Sequence, residues 1–295
     1  MNNTLPIKQT AKWQDYLELC KPKVVALLMM TALIGMLLAS ESLPAWHILL
    51  FGNLGIAFCA ASAAVINHLV DKKIDLVMAR TQNRPIAQGR VEHQQAIIFA
   101  SILGLLGMCV LVWFVNALTA WLTLASLIGY AVVYTLLLKR ATPQNIVIGG
   151  LAGAAPPLLG WCAVTGEIHA NALLLVLIIF AWTPPHFWAL ALHRRIEYAS
   201  ANVPMLPVTH GENYTKLHIL LYTLLLIIIT VFPFLTGMAG IFYLTSALLL
   251  GGRFIYWCNQ LFNEKNKKAA INTFKFSITY LMLLFSSLLI DHYTG

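Results

Sequence analysis

Long runs of hydrophobic residues dominate the chain, and polar residues are concentrated in the segments between those runs. A helix of about 20 apolar residues crosses a hydrocarbon core about 30 Å thick. The strands of a membrane barrel would instead alternate apolar and polar residues over about 10 positions. The pattern therefore predicts an all-α fold, a polytopic membrane bundle of about nine transmembrane helices, at residues 24–40, 47–69, 95–115, 117–138, 146–165, 171–192, 219–238, 241–258 and 276–290.

The composition supports this prediction, because 59% of the 295 residues are hydrophobic and only 10% are charged. Soluble domains contain about 25% charged residues, so this chain has too little polar surface for a water-soluble globule. The five cysteines are scattered without a CxxC pair and are interpreted as small buried hydrophobic residues.

The net charge of +8 reflects topology and does not indicate a nucleic-acid partner. All 19 Lys and Arg residues lie in the N-terminal segment or beside the loops after the second, fourth, sixth and eighth predicted helices. Basic residues accumulate on the cytoplasmic side of membrane proteins. We therefore expect a cytoplasmic N-terminus and a C-terminus on the outside.

The pattern of apolar runs and basic residues also predicts a single intramembrane domain over residues 1–295. It has a cytoplasmic N-terminal segment at 1–23 and polar cytoplasmic loops at 71–94 and 193–218. The N-terminal segment contains acidic residues and does not resemble an organelle transit peptide, which favours a bacterial inner membrane.

Candidate chemistry begins at the end of the second predicted helix. At 100° per residue, Asn67, Asp71 and Asp75 fall within an arc of about 80° on a helix. Carboxylates suit Mg²⁺, which is commonly shared with substrate phosphates, and arginines such as Arg80 and Arg84 suit phosphate. An exposed helix end that carries charges for solubility is the alternative, but the asparagine and the paired arginines favour a metal–diphosphate site.

The second candidate lies within the sixth predicted helix, where His186 follows Pro184 and Pro185. Ionisable residues within membrane spans are candidates for function, and prolines are tolerated where a helix lines a cavity. The alternative is a hydrogen-bonded core histidine that closes a helix kink.

These motifs resemble those of a known family. Asn67-x-x-x-Asp71-x-x-x-Asp75, followed by Arg80-x-x-Asn83-Arg84-Pro85, resembles the first aspartate-rich motif of the UbiA superfamily of intramembrane prenyltransferases. The segments Pro185-His186-Phe187-Trp188, Asn202-x-Pro204-Met205 and Lys139-Arg140-x-Thr142-Pro143 are similar to the branch of that superfamily that farnesylates haem b.

The resemblance implies roles for individual residues. Asp71 and Asp75 would bind Mg²⁺ with the help of Asn67, and the diphosphate would be bound by four basic residues, Arg80, Arg84, Lys139 and Arg140. Other members of the superfamily carry a second D-x-x-x-D motif, where this chain has His193-Arg-Arg-Ile-Glu197. Glu197 is therefore the one candidate for a metal ligand on that side.

The resemblance also implies the reaction: farnesyl transfer from farnesyl diphosphate to a vinyl group of haem b, with addition of water, to give haem O. His186 would then be an iron ligand or a base for that water. A haem A synthase or a terminal oxidase that uses the product is an expected partner. Two alternatives stay open, a UbiA-type enzyme with a quinone precursor or another aromatic or tetrapyrrole acceptor, and a transporter of an anionic substrate.

Overall fold

The computed structural model describes residues 11–263 and 266–294, apart from the side chain of Arg140, and these residues form helices and turns without a strand. In chain order the helices are α1 (Trp13–Leu19), α2 (Pro22–Leu38), α3 (Trp46–Val77), α4 (His93–Phe114), α5 (Ala117–Leu138), α6 (Asn145–Thr165), α7 (Ala170–His193), α8 (Arg195–Ser200), α9 (Leu206–Thr209), α10 (Glu212–Leu235), α11 (Ile241–Gln260) and α12 (Ala269–Thr294).

The predicted all-α membrane bundle is confirmed. Within the described residues, eight helices (α3 to α7 and α10 to α12) are long and apolar enough to cross a membrane. Helix α2 is shorter and is bent by 51° relative to α1, and counting this pair as one span brings the number to nine. The predicted break between the seventh and eighth spans is present, because α10 ends at Leu235 and α11 begins at Ile241 after Gly237, whose φ is 73°.

The helix ends differ from the predicted ones at both polar loops. Helix α3 continues to Val77, eight residues beyond the predicted span of 47–69, so the first loop begins at Met78 rather than at residue 71. The second loop, predicted at 193–218, contains α8 and α9 and ends where α10 begins at Glu212. Hydropathy declines at the first charged residue, whereas the helical backbone continues as long as its hydrogen bonds and buried acids are satisfied.

The spanning helices pack into a closed bundle. Helix α2 contacts α3, α6 and α12, and α3 packs along α4. Helix α7 contacts α6, α10 and α12, while α11 packs against α10 and α12. This arrangement surrounds a cavity with α2, α3, α5, α6, α7 and α12.

Helices α2 and α6 cross so closely that each needs a glycine. A Cβ atom on Gly35 would lie 2.1 Å from the carbonyl oxygen of Pro157, and one on Gly160 would lie 1.9 Å from that of Ala32. Small residues allow such close approach between membrane helices, where packing rather than the hydrophobic effect drives association. The crossing fixes two walls of the cavity.

Candidate active site

The predicted acidic motif lies on the last turns of α3. Asn67, Asp71 and Asp75 are all helical and expose only 3%, 2% and 3% of their surface. Burying a carboxylate is costly unless a cation or hydrogen-bond donors accompany it. The solvated helix end that the sequence left as an alternative does not describe these buried side chains.

Asp71 has a cation on one oxygen only. The Nζ atom of Lys139 lies 2.5 Å from Oδ2 of Asp71. The other oxygen, Oδ1, is buried and accepts no hydrogen bond from the described residues. A buried carboxylate oxygen without a partner calls for an explanation, and an incoming cation provides one. The donor set at Asp71 therefore fits an oxygen-liganded ion such as Mg²⁺.

Asp75 is paired with an arginine from the loop between α3 and α4. The Nη1 atom of Arg84 lies 2.8 Å from Oδ1 and 2.9 Å from Oδ2 of Asp75. The hydroxyl of Thr81 donates to the carbonyl of Asp75 at 3.2 Å and holds the start of the loop. The predicted metal ligands and two predicted phosphate ligands, Arg84 and Lys139, are thus each other's partners.

Of the other two predicted phosphate ligands, Arg80 is not part of these pairs. Residues 78–92 form turns and no α-helix, so Arg80 and Arg84 are not one helical turn apart as a helical segment would place them. Arg80 is exposed and forms no ion pair with any described residue. The side chain of Arg140 lies outside the described part of the chain.

Asn67 connects the motif to α2 and α5. Lys21 Nζ donates a short hydrogen bond to Oδ1 of Asn67, and Nδ2 of Asn67 donates to Oγ1 of Thr135 at 3.3 Å. Lys21 precedes Pro22 and has a φ of 50°, in the left-handed region. No sequence pattern predicts this role, because nothing distinguishes Lys21 from the other basic residues of the N-terminal segment.

The last part of α5 is a π-helix, Gly129–Leu138, which ends beside Lys139. The Thr135 hydroxyl donates to the carbonyl of Tyr130 at 2.8 Å, five residues earlier, a spacing that matches the wider π-helical turn. Across from it, a Cβ atom on Gly149 of α6 would lie 2.1 Å from the ring of Tyr134. Such helices are rare and often occur at functional sites, and no local pattern in the sequence predicts this one.

A cavity of about 610 Å³ lies beside the acidic motif. Its lining is apolar apart from a few side chains, and Lys21 and Lys23 are the only charged ones among the described residues. Asp71 and Asp75 are not in its wall, but Lys21 lines the cavity and binds Asn67, so the two regions are continuous. The volume lies within the roughly 300–1,000 Å³ of small-molecule sites.

His186 lines this cavity and exposes 8% of its surface. Helix α7 runs without interruption through Pro184 and Pro185 to His193. The ring stacks on Trp182 with centroids 4.2 Å apart, and its Nδ1 lies 2.7 Å from Oγ of Ser277 on α12. The imidazole thus bonds to a neighbouring helix and not to a carbonyl of its own helix, unlike a histidine that closes a kink.

Glu197 lies on α8 and is bound by its neighbour. The Nη1 atom of Arg194 lies 2.8 Å from Oε1 of Glu197. No three His, Cys, Asp or Glu side chains of residues 11–263 and 266–294 come together as a potential metal site, so Glu197 does not join Asp71 and Asp75 as a third acid.

Known proteins are similar in sequence to this chain over nearly its whole length. The model of the UbiA prenyltransferase family matches residues 28–286. A Protoheme IX farnesyltransferase of Hahella chejuensis is 66% identical over 293 residues, which cover 99% of this chain and 98% of that protein. A protein of the same name from Marinobacter nauticus is 66% identical over 284 residues, with 96% and 94% covered.

Solved structures share the fold at lower identity. A structure of digeranylgeranylglyceryl phosphate synthase superposes with a TM-score of 0.80 at 22% identity, covering 96% of this chain and 99% of that chain. A UbiA homolog from Archaeoglobus fulgidus bound to GPP and Mg²⁺ gives a TM-score of 0.67 at 16% identity, covering 93% and 99%. With its match to the family model and its full-length relatives, the chain belongs to the UbiA prenyltransferase family.

Proposed function

We propose that this membrane protein transfers the farnesyl group of farnesyl diphosphate to a vinyl group of haem b, with addition of water, to form haem O. The observation that carries the proposal is the continuity of two buried regions. Paired acids and bases at the end of α3 adjoin an apolar cavity, and Lys21 belongs to both. Relatives named for this activity are 66% identical over nearly the whole chain, and the family transfers prenyl groups.

The charged region would receive the diphosphate and its metal. Asp71 and Asp75 would hold Mg²⁺, with Oδ1 of Asp71 already free of hydrogen bonds. Bound Mg²⁺ would neutralise charge on the diphosphate and improve it as a leaving group. A neighbour of this fold was solved with GPP and Mg²⁺, which supports the choice of ion.

Binding would exchange the partners of the two ion pairs. Arg84 and Lys139, which now neutralise Asp75 and Asp71, would turn to the phosphate oxygens as the acids turn to the metal. Each buried charge would then keep an opposite charge beside it throughout. The exchange would avoid the cost of leaving a buried charge without its partner, which is about 3–5 kcal/mol. The free protein holds its phosphate ligands in place by the same contacts.

The apolar region would contain the farnesyl chain and the acceptor. When the allylic carbon–oxygen bond breaks, its electron pair leaves with the diphosphate, and the vinyl group forms the new carbon–carbon bond. The resulting cation beside the macrocycle takes up water and releases a proton. The apolar cavity wall excludes bulk water from the first cation, which water would otherwise convert to farnesol. His186, in that wall, would contact the macrocycle.

The activity is tested with the purified protein in detergent, given farnesyl diphosphate, haem b and Mg²⁺. We expect release of diphosphate and formation of haem O, measured by mass spectrometry, with both lost when Mg²⁺ is chelated. Diphosphate release with an aromatic quinone precursor, and none with haem b, would overturn the acceptor and favour the other UbiA-type activity. The transporter alternative finds no support, since the chain belongs to a prenyltransferase family.

We also propose that the acidic end of α3 faces the cytoplasm of a bacterial cell, in its inner membrane. The distribution of all 19 basic residues supports this orientation. With nine spans the C-terminus would lie on the opposite side. A reporter fused after Gly295 should therefore behave as periplasmic, and cytoplasmic activity of that reporter would reverse the proposed orientation.

A further inference from the structure

The imidazole of His186 is held in a fixed plane. The indole of Trp182 stacks on it at 22°, and the ring of Phe274 on α12 lies 4.6 Å away at 32°. Trp182 is itself anchored, because its Nε1–H donates to the carbonyl of Ser277 at 2.7 Å. Contacts from two helices thus determine the direction in which the ring nitrogens point.

The hydrogen bonds around Ser277 favour a proton on Nδ1 of His186. The Ser277 hydroxyl donates to the carbonyl of Phe274 at 2.7 Å and has only one hydrogen to give. With that hydrogen on the carbonyl, the contact with Nδ1 of His186, also 2.7 Å, is a hydrogen bond donated by Nδ1–H. In this tautomer Nε2 carries an unshared electron pair.

The hydrogen bond that the His186 ring makes to a described residue is on Nδ1, which leaves Nε2 without a partner among those residues, and the side chain lies in the cavity wall. A nitrogen lone pair in an apolar cavity is available to a ligand that the cavity holds. Imidazole is a common axial ligand of haem iron, and the proposed acceptor is a haem. A hydrogen bond on the far ring nitrogen is the usual means of orienting such a ligand.

We infer that Nε2 of His186 is an axial ligand to the iron of the haem acceptor, and that Ser277 is the residue that positions it. This inference rests on the proposed function, since it needs a haem in the cavity. Ser277 does not touch the substrate and acts through the imidazole. The coordinate bond fixes the position of the macrocycle and hence of its vinyl group.

The surroundings of His186 favour a ligand over a base for the incoming water. A base becomes a cation when it takes a proton, and a buried cation needs an opposite charge nearby. The described part of the cavity wall contains no Asp or Glu, and its charged residues, Lys21 and Lys23, are basic. A neutral ligand to iron requires no such counter-charge.

The test compares porphyrins with and without iron. Haem b and metal-free protoporphyrin IX are titrated separately into the purified protein, and absorption spectra are recorded. We expect His186→Ala to lose the wild-type Soret position and to bind haem b at least about 10-fold more weakly, while its affinity for metal-free protoporphyrin stays unchanged. Added imidazole should restore the Soret band in His186→Gly.

Ser277→Ala should weaken haem binding in the same iron-specific way, by up to about 10-fold, and Ser277→Thr should restore it because the hydroxyl is kept. Ser287→Ala is the matched control, since Ser287 is a buried serine of α12 whose hydroxyl donates to the carbonyl of Leu284 at 2.8 Å. It should leave both affinities unchanged.

Failure of the inferred roles of His186 and Ser277 can be distinguished from failure of the proposed function. If His186→Ala keeps the wild-type Soret band, or loses affinity for both porphyrins equally, the ligand role is wrong even when the wild-type protein makes haem O. Equal effects of Ser277→Ala and Ser287→Ala would overturn the positioning role. If the wild-type protein neither binds haem b nor releases diphosphate in its presence, the proposed function itself fails.

Discussion

Buried aspartates occur at both ends of the bundle, and they are held in different ways. Asp291, near the end of α12, accepts hydrogen bonds from the backbone N–H groups of Gly240 and Tyr243 where α11 begins, the latter at 3.2 Å. Asp71, at the end of α3, has Lys139 on one oxygen and no partner on the other. The first carboxylate is fully satisfied by groups that cannot move away.

The difference separates a structural acid from one that is arranged for a ligand. A backbone N–H at a helix start stays where the fold places it, and a carboxylate there caps the helix. A lysine side chain rotates, so its ion pair with a carboxylate can be exchanged for a pair with phosphate. We therefore expect changes at Asp71 to affect turnover and changes at Asp291 to affect stability.

Asp71→Asn should have the largest effect on activity. The substitution keeps the size of the side chain and removes the charge that would hold Mg²⁺, so haem O formation should fall by about 10²-fold or more. The measurement is the initial rate of haem O formation by correctly inserted protein. Asp15→Asn is the control, because Asp15 is also buried and paired with an arginine, Arg90, at 2.8 Å. A fully active Asp71→Asn protein would show that Asp71 does not bind the metal.

Arg84→Gln should act mainly on binding of the prenyl diphosphate. A hydrogen bond to a charged group contributes about 1.5–3 kcal/mol, so we expect the KM for farnesyl diphosphate to rise by about 10-fold or more with a smaller change in kcat. Arg90→Gln removes the corresponding pair with Asp15 and should leave that KM unchanged. Equal KM values in the two variants would contradict exchange of Arg84 from Asp75 to phosphate.

Asp291→Ala should leave the reaction intact and destabilise the protein. Loss of a helix-capping side chain costs about 0.5–2 kcal/mol, and here two backbone donors lose their acceptor. Thermal unfolding in detergent should occur at a lower temperature, while the rate per folded protein matches the wild type. A specific loss of turnover at unchanged stability would show that the far end of the bundle takes part in catalysis.

The membrane fold was predictable because its determinants are local and repeated. Apolar runs and the position of basic residues predicted nine helices, and even the short break near Gly237 had a signal in its glycines. The apolar run that predicted α3 ends at residue 69, and only the helical spacing of Asn67, Asp71 and Asp75 indicated that the helix continues. Charges that look solvated in sequence are buried there by partners from other helices. Lys139, which pairs with Asp71, is 68 residues away in the chain.

The candidate site was predictable only where a family motif or a conspicuous residue type marked it. Helical spacing marked Asp71 and Asp75, a histidine within a predicted span marked His186, and the family resemblance supported all three. The positioning residues had no such mark: Ser277 is 91 residues from His186, and the π-helix that places Thr135 opposite Asn67 packs against α6. Contacts of this kind are made by the assembled bundle, so they have no local signature.

Asp15 combines both kinds of contact and gives the smallest predicted effect. One of its oxygens accepts from the backbone N–H of Lys12 at 2.9 Å, and the other from Nε of Arg90 at 2.8 Å. The Lys12 N–H, together with Arg90, holds the pKa of Asp15 below its usual 3.8.

A folded-state pKa below the unfolded one contributes stability that is present above the unfolded pKa and is lost as the pH falls through the folded one. The wild type should therefore be more stable than Asp15→Asn near neutral pH, by about 1 kcal/mol or less for so small an ion pair. The wild type should therefore unfold at a higher temperature than Asp15→Asn at every pH from 7 to 5. This difference should shrink only below about pH 3.8. A difference that already disappears between pH 7 and pH 5 would show that another group, and not Asp15, titrates in the contact between α1 and the first loop.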